Sequence, residues 1–452
     1  MRAAEVCYNF GICFALRQTN QYEERVSLIE QFKETLRMKP YIFAKQLLWA
    51  ICVSMFLFAF LCGSPAEIFE GMVSIVTHKA GLIADNFAVA NVAATFFNAA
   101  SIMAIALLLF QLLKVNITGP GIACILLCAG FAMFGKDIVN IWPIIAGVFL
   151  YAKRQNDDFN KYIYNALYGT CLAPIITEIA LIRSDWISLL LAVLCGLIIG
   201  FLIPPLSTYC LRIHQGYSLY NVGFSAGLVG TLLVAILKSF GYTPEAQLIW
   251  TYENDVRVLV YLFVLYIVLF VLGWYLSDWK LKPWLQLSRH SGRLMSDFVL
   301  MDGMPPILMN MGALGMAATL FLLITGGTIN GATIGGLLTI VGFGAFGKHL
   351  KNVTPIVIGV FLGSMLKIWN IHDPAVQLAA LFGTCLAPIA GQYGWKYGIV
   401  AGFLHSSMVL SIGVFHGGLN LYNNGFSAGM VALILIPLIE SIQGEKINHA
   451  SR

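Results

Sequence analysis

Three short blocks occur twice in this chain, in the same order, and that duplication limits the fold more than any single residue does. The stretch 134–149 (FGKDIVNIWPIIAGVF) returns at 346–361 (FGKHLKNVTPIVIGVF) with 9 of 16 positions identical. GTCLAPI at 169–175 returns unchanged at 383–389. LYNVGFSAGLV at 219–229 returns as LYNNGFSAGMV at 421–431, with 9 of 11 identical. The offsets are 212, 214 and 202, so short insertions lie between the blocks. Asp85 and Asn98 meet Asp297 and Asn310 at the first of these offsets. Whatever unit one half forms, the other half must form as well.

Composition says what kind of unit it is. Hydrophobic residues make up 59% of the chain and charged residues 11%, against about 25% charged in soluble domains. Mean hydropathy is +0.80. Apolar runs recur along the whole length, many near the roughly 20 residues that cross a hydrocarbon core as helix. Strand-type alternation is absent, which argues against an outer-membrane barrel. The expected fold is an all-α polytopic membrane protein. Seven apolar segments are expected in the first copy, at 47–62, 87–113, 119–134, 138–151, 162–182, 186–206 and 217–237. Seven are expected in the second, at 258–276, 298–324, 332–346, 353–368, 375–393, 397–415 and 419–438. The third and fourth of each copy are too short to cross, and the fifth carries Gly-Thr-Cys-Leu-Ala-Pro in its interior. Proline there removes a backbone hydrogen bond. Each repeat is therefore expected to hold five to seven transmembrane helices, some broken or re-entrant. The chain divides into a cytoplasmic segment with an amphipathic helix (1–46), repeat 1 (47–240), the first span of repeat 2 with its loops (241–297), the rest of repeat 2 (298–440) and a tail (441–452).

Basic residues report orientation, because cytoplasmic loops collect Lys and Arg. Arg2, Arg17, Arg25, Lys33, Arg37, Lys39 and Lys45 precede the first span. Glu245, Glu253 and Asp255 precede its equivalent in the second copy, and Lys280, Lys282, Arg289 and Arg293 follow it. Equivalent spans then point opposite ways, so each copy crosses an odd number of times and the repeats are inverted. Lys153, Arg154, Lys161, Lys348 and Lys351 fit the inner side. Both chain termini are expected in the cytoplasm and no cleavable signal peptide is evident. The net charge of +5 is loop charge, with no basic-aromatic array for nucleic acid. Ten cysteines include no C-x-x-C pair, so neither a metal site nor a disulfide framework is expected, and no cofactor motif or enzyme motif occurs.

Broken helices concentrate chemistry, because unsatisfied backbone in a membrane must be buried in protein or line a wet cavity. The two GTCLAPI blocks are the first candidates: Thr170, Cys171 and Pro174, with Thr384, Cys385 and Pro388. Either they break a helix at a site or they kink it for packing. The LYNxGFSAG blocks are the second. Asn221, Ser225, Asn423 and Ser427 could line a cavity, while Gly223, Gly227, Gly425 and Gly429 form a small-residue seam for close helix packing. Glu178, with Gln392 as its counterpart, is the sharpest single residue. Intramembrane carboxylates tend to mark ion or proton pathways, although a place at the interface beside Arg183 is the alternative. His214 and His416 read as segment-end residues and His405 as a hydrogen-bonded core histidine. Asn98 and Asn310 read as helix-bridging, and Asp85 and Asp297 as helix N-terminal carboxylates.

With these duplicated blocks, the sequence resembles an uncharacterised family of bacterial integral membrane proteins carrying two copies of a domain of unknown function. That resemblance covers about residues 85–440 and implies a bacterial inner membrane, with no assigned substrate. The stretch 216–236 (GYSLYNVGFSAGLVGTLLVAI) is also similar to the Gly-Tyr-Asn…Leu-Val-Gly signature of urea transporters, which likewise have inverted halves. It departs from them where Thr-Cys-Leu-Ala-Pro stands in place of Thr-x-Pro-Phe.

The functional expectation is a secondary transporter of a small neutral, zwitterionic or cationic solute. The solute would sit near the midplane between the repeats, with Glu178 coupling it to protons or sodium. The solute class follows from finding no basic residue clearly inside a span, with Lys114, Lys136 and Lys367 at segment ends. The alternatives are a passive channel like the urea transporters and a membrane scaffold or sensor using residues 2–45. The lipid bilayer is the one certain partner, and a homo-oligomer is left open.

Overall fold

The computed structural model describes residues 40–79, 83–244 and 246–450. Most of the expected N-terminal amphipathic helix lies outside them. Among the described residues there are twenty α-helices, ten in each copy, and no strand beyond one isolated bridge between Ala84 and Ile249. The first copy holds α1 (Pro40–Cys62), α2 (Pro65–Thr77), α3 (Asn86–Val89), α4 (Val92–Leu112), α5 (Gly119–Phe131), α6 (Trp142–Arg154), α7 (Ile163–Gly169), α8 (Ala173–Ala180), α9 (Trp186–His214) and α10 (Asn221–Ser239). The second holds α11 (Val256–Leu276), α12 (Lys282–Leu287), α13 (Phe298–Asp302), α14 (Met304–Ile324), α15 (Gly331–Phe343), α16 (Leu350–Leu366), α17 (Pro374–Phe382), α18 (Ala387–Tyr393), α19 (Trp395–Ile412) and α20 (Asn423–Ala450). Each helix in one copy has its mate ten places on. The protein is a polytopic all-α membrane protein.

Nine stretches of the described chain are helical, long and apolar enough to cross a membrane: α1, α4, α9, α10, α11, α14, the continuous α17–α18 stretch, α19 and α20. Residues 163–180, holding α7 and α8, are the repeat mate of α17–α18. The third and fourth segments are the exception. Helices α5, α6 and α15 have 13 residues each, about 20 Å of helix against a core of about 30 Å. Among the described residues the first copy thus holds four such stretches and the second five, each copy with a pair of shorter helices between them. Two boundaries differ from expectation. Helix α1 begins at Pro40, ahead of 47, because the amphipathic residues before Leu47 continue the same helix. Helix α20 runs on past 441 to Ala450.

The inversion is visible in which side chains meet. Glu178 closes α8 beside Lys79 and Tyr242. Its mate region at the end of α18 meets other groups: Tyr393 donates to Tyr217 at 2.8 Å and to Glu440 at 3.1 Å. Tyr217 precedes the through-going α10 and Tyr242 follows it, so the two clusters lie at opposite ends of the bundle. Helices α5 and α15 cross on the pseudo-twofold axis, antiparallel. Gly119 approaches Ala345, Gly130 approaches Gly335, and Met133 approaches Gly331.

The two copies also cap one another. Asp85 accepts from Phe87 N at the start of its own short helix (3.0 Å) and from Gly331 N at the start of α15 (2.9 Å). Asp297 does the same for Val299 N (3.0 Å) and for Gly119 N at the start of α5 (3.1 Å). Each carboxylate therefore serves a helix N-terminus in both repeats, where orphan N–H groups and the helix dipole favour an anion.

Candidate functional site

The GTCLAPI blocks do break their helices. In each copy a short 3-10 turn, Thr170–Leu172 or Gly383–Leu386, joins two α-helical halves, and the proline lies in the first turn of the second half. There its missing N–H costs nothing. The freed carbonyls are used across the repeat boundary. Leu219 N donates to Cys385 O at 3.0 Å, and Leu421 N donates to Cys171 O at 3.1 Å. The start of each LYNxGFSAG block is thereby tied to the other copy's GTCLAPI break.

Beyond those ties α10 and α20 pass each other at close range. A Cβ on Gly223 would lie 3.1 Å from Gly425 Cα and 2.8 Å from the Tyr422 ring, so only hydrogen fits. Ser225 Oγ donates to Asn221 O and Val222 O on its own helix, and Ser427 Oγ donates to Asn423 O. Both serines therefore belong to this packing seam and do not reach a cavity. The asparagines open the helices. Asn221 bonds His214 (2.9 Å) and Ser207 O (2.9 Å), and Asn423 bonds His416 (3.0 Å) and Val409 O (3.4 Å). The two histidines thus fasten the ends of α9 and of the 3-10 turn after α19 to the helix that follows. His405, as expected, is a buried hydrogen-bonded histidine, bonded to Asn424 at 3.0 Å.

A cavity of about 300 Å³ lies where the copies meet. Tyr164, Asn165 and Tyr168 of α7, Ser207 and Thr208 of α9, and Tyr220, Asn221 and Tyr422 line it. Tyr220 and Tyr422 are repeat mates in ring contact, centroids 4.6 Å apart. At the repeat offsets the mates of Tyr164, Asn165, Tyr168, Ser207 and Thr208 are apolar, namely Leu378, Ala379, Phe382, Val409 and Leu410, while that of Asn221 is Asn423. The polar lining therefore lies on one half of the pseudo-symmetric centre. Of the candidate residues, Asn221 alone lines this cavity. Thr170, Cys171, Pro174, Thr384, Cys385, Pro388, Asn423, Ser225 and Ser427 form the breaks and the seam around it.

Behind the aromatic pair stand two lysines that sequence reasoning left out of the site. Lys348 is fully buried and donates to the Tyr220 hydroxyl at 2.7 Å and the Thr384 hydroxyl at 2.8 Å. It also lies over the Tyr220 and Phe343 rings, 4.7 and 5.0 Å from their centroids. Its mate Lys136 is equally buried, 3.6 Å from Cys128 Sγ and 5.5 Å from the Phe131 ring. Both lysines lie in the turns between the short helices, as the sequence suggests, but their side chains are buried in the packed core. The available signal was the triplet Phe-Gly-Lys, unchanged at 134–136 and 346–348. The preference for a neutral, zwitterionic or cationic solute assumed no buried cation near the site, and these two buried lysines remove that support.

Glu178 lies off this site. It accepts from Tyr242 and from Lys79, the latter at 3.4 Å, at one end of the bundle. Partial burial and the Glu178 carboxylate push the Tyr242 phenol up from its ordinary value. Gln392 is exposed at the opposite end. The expected coupling pair is therefore split between the two ends of the bundle, Glu178 buried and Gln392 exposed, because the inversion sends the ends of α8 and α18 opposite ways. No cluster of three metal-ligating side chains occurs among the described residues, and the eight described cysteines are free.

A family model described as "Protein of unknown function (DUF1576)" matches the chain at residues 64–239 and again at 277–441. The chain belongs to that family. Each match begins just after the first helix of its copy, α1 or α11, and covers the rest of that structural repeat. No curated protein matches the chain. No solved structure matches it either, so the likeness to urea transporters rests on the 216–236 stretch.

Proposed function

We propose that this protein carries a small solute across the membrane along the boundary between its inverted repeats. The observation that carries this reading is the cavity of about 300 Å³ that ends on the Tyr220–Tyr422 pair, where both broken helices and both asparagine-led helices converge. Inverted repeats with discontinuous helices at the midplane are a recurrent plan of secondary transporters. The polar lining on one half, with apolar mates filling the other, suits a carrier open to one side. The basic residues Lys153, Arg154, Lys161, Lys280, Lys282, Arg289 and Arg293 support reading the open end as the cytoplasmic side of an inner membrane.

A second reading, a passive facilitator, is favoured by one feature. No carboxylate lines the cavity, so the group that would couple transport to a cation is missing from it. Uptake into proteoliposomes from a pooled small-metabolite mixture, read by mass spectrometry with and without proton or sodium gradients, separates the two. Gradient-dependent accumulation above the external level supports the carrier. Equilibration alone supports the facilitator. Uptake by folded protein no faster than by empty liposomes overturns both and leaves a scaffold or sensor.

A further inference from the structure

The repeat boundary holds two buried lysines with no carboxylate partner. Among the described residues no carboxylate is within ion-pair distance of Lys136 or Lys348. Their partners are hydroxyls, a thiol and aromatic faces. Such groups solvate an ammonium without neutralising it, and an unpaired buried charge is costly. The N-termini of α10 and α20 meet at the same place and add the positive ends of two helix dipoles.

Among the polar residues that line the cavity, Asn165, Ser207, Thr208 and Asn221 already donate to protein acceptors, and Tyr220 and Tyr422 differ. Tyr220 receives its hydroxyl bond from Lys348, which leaves the phenolic hydrogen to be given elsewhere and polarises it. The Tyr422 hydroxyl is buried and finds no hydrogen-bond partner. Both tyrosines line the cavity. The Asn221 amide is already satisfied by His214 and Ser207.

We propose that this site binds a small monovalent anion, held by the Tyr220 and Tyr422 hydroxyls with Lys348 and Lys136 behind them. A cavity of about 300 Å³ admits a halide, nitrate or short carboxylate. The proposal rests on the transport reading for the role of the site, and its tests separate the two.

The first test is thermal unfolding of the full-length protein in detergent, titrated with chloride, nitrate, formate and acetate at constant ionic strength, with gluconate as the bulky reference. Saturable stabilisation by at least one small anion is expected. Lys348→Met and Tyr422→Phe should each raise the half-saturating concentration at least tenfold, and Lys348→Arg should restore part of the loss. Cys128→Ala should leave it unchanged. Markedly tighter binding in that variant would assign the charge balancing Lys136 to a Cys128 thiolate and overturn the part given to Lys136. If K348M does not fold, Y422F alone decides the matter. No saturable response in folded wild-type protein, or one that both variants leave intact, overturns the anion site. Anion binding that depends on Lys348 without flux in proteoliposomes keeps the site and sinks transport. Uptake of a neutral solute that K348M leaves unchanged does the reverse.

Discussion

Asn98 and Asn310 show what a single side chain does at a broken helix. Asn98 Nδ2 donates to Ala132 O and Lys136 O, both at 2.8 Å. Asn310 Nδ2 donates to Gly344 O and Lys348 O, both at 2.7 Å. Each amide therefore holds the backbone on either side of a Phe-Gly-Lys turn and sets where the following lysine stands. Asn310→Leu leaves two buried carbonyls without these donors, at about 1–3 kcal/mol each. We expect a clear fall in thermal unfolding temperature and weakened anion response, both measurable on the solubilised protein. Glu178→Gln should behave differently. Its carboxylate is 7% exposed beside a Lys79 that is 41% exposed, so the change should cost some stability through loss of a half-buried pair, but the pair lies off the cavity. Transport should continue at a near wild-type rate, and its loss in a proteoliposome assay would return Glu178 to the mechanism. At this scale the asparagine bridges were legible from the duplication. The lysines were not, because a lysine beside glycine at the end of an apolar run has the same local sequence whether it faces water or the core.

Helices α5 and α15 depend on capping from the opposite copy. Asp85 accepts from Gly331 N with Oδ1 and from Thr251 N with Oδ2 at 3.1 Å. Removing such a cap costs about 0.5–2 kcal/mol. Asp85→Ala should destabilise the protein by about that amount, and Asp85→Asn by less, since one acceptor oxygen survives. Equal unfolding temperatures for the two variants would show that the oxygen does not cap α15. The short length of these helices could be read from the sequence, because apolar run length translates directly into reach. Their caps could not, since the aspartates lie 246 and 178 positions away from the glycines they serve. The GTCLAPI breaks were likewise visible as proline and glycine inside apolar runs. That the freed carbonyls are taken by Leu219 and Leu421 depends on a contact between copies that local pattern does not encode.

Over the whole molecule, inversion accounts for the division of the candidate residues. It gathers Tyr220, Tyr422, Lys136 and Lys348 around one axis and sends Glu178 and Gln392 to opposite ends of the bundle. In a cysteine-free background, single cysteines at Thr243 and at Ser288 should be labelled by a membrane-impermeant maleimide from opposite sides, Ser288 from the cytoplasm. Labelling of both from one side would remove the inverted arrangement and the pathway with it. Class, duplication, short hairpin helices and broken helices follow from the sequence alone, because hydropathy, helix length and proline act within a few turns of the chain. The exchange of caps, the one-sided cavity and the two buried lysines were decided only by tertiary structure. Burial and partnership are properties of what the other repeat brings into contact, and the energy of a charge depends on those neighbours.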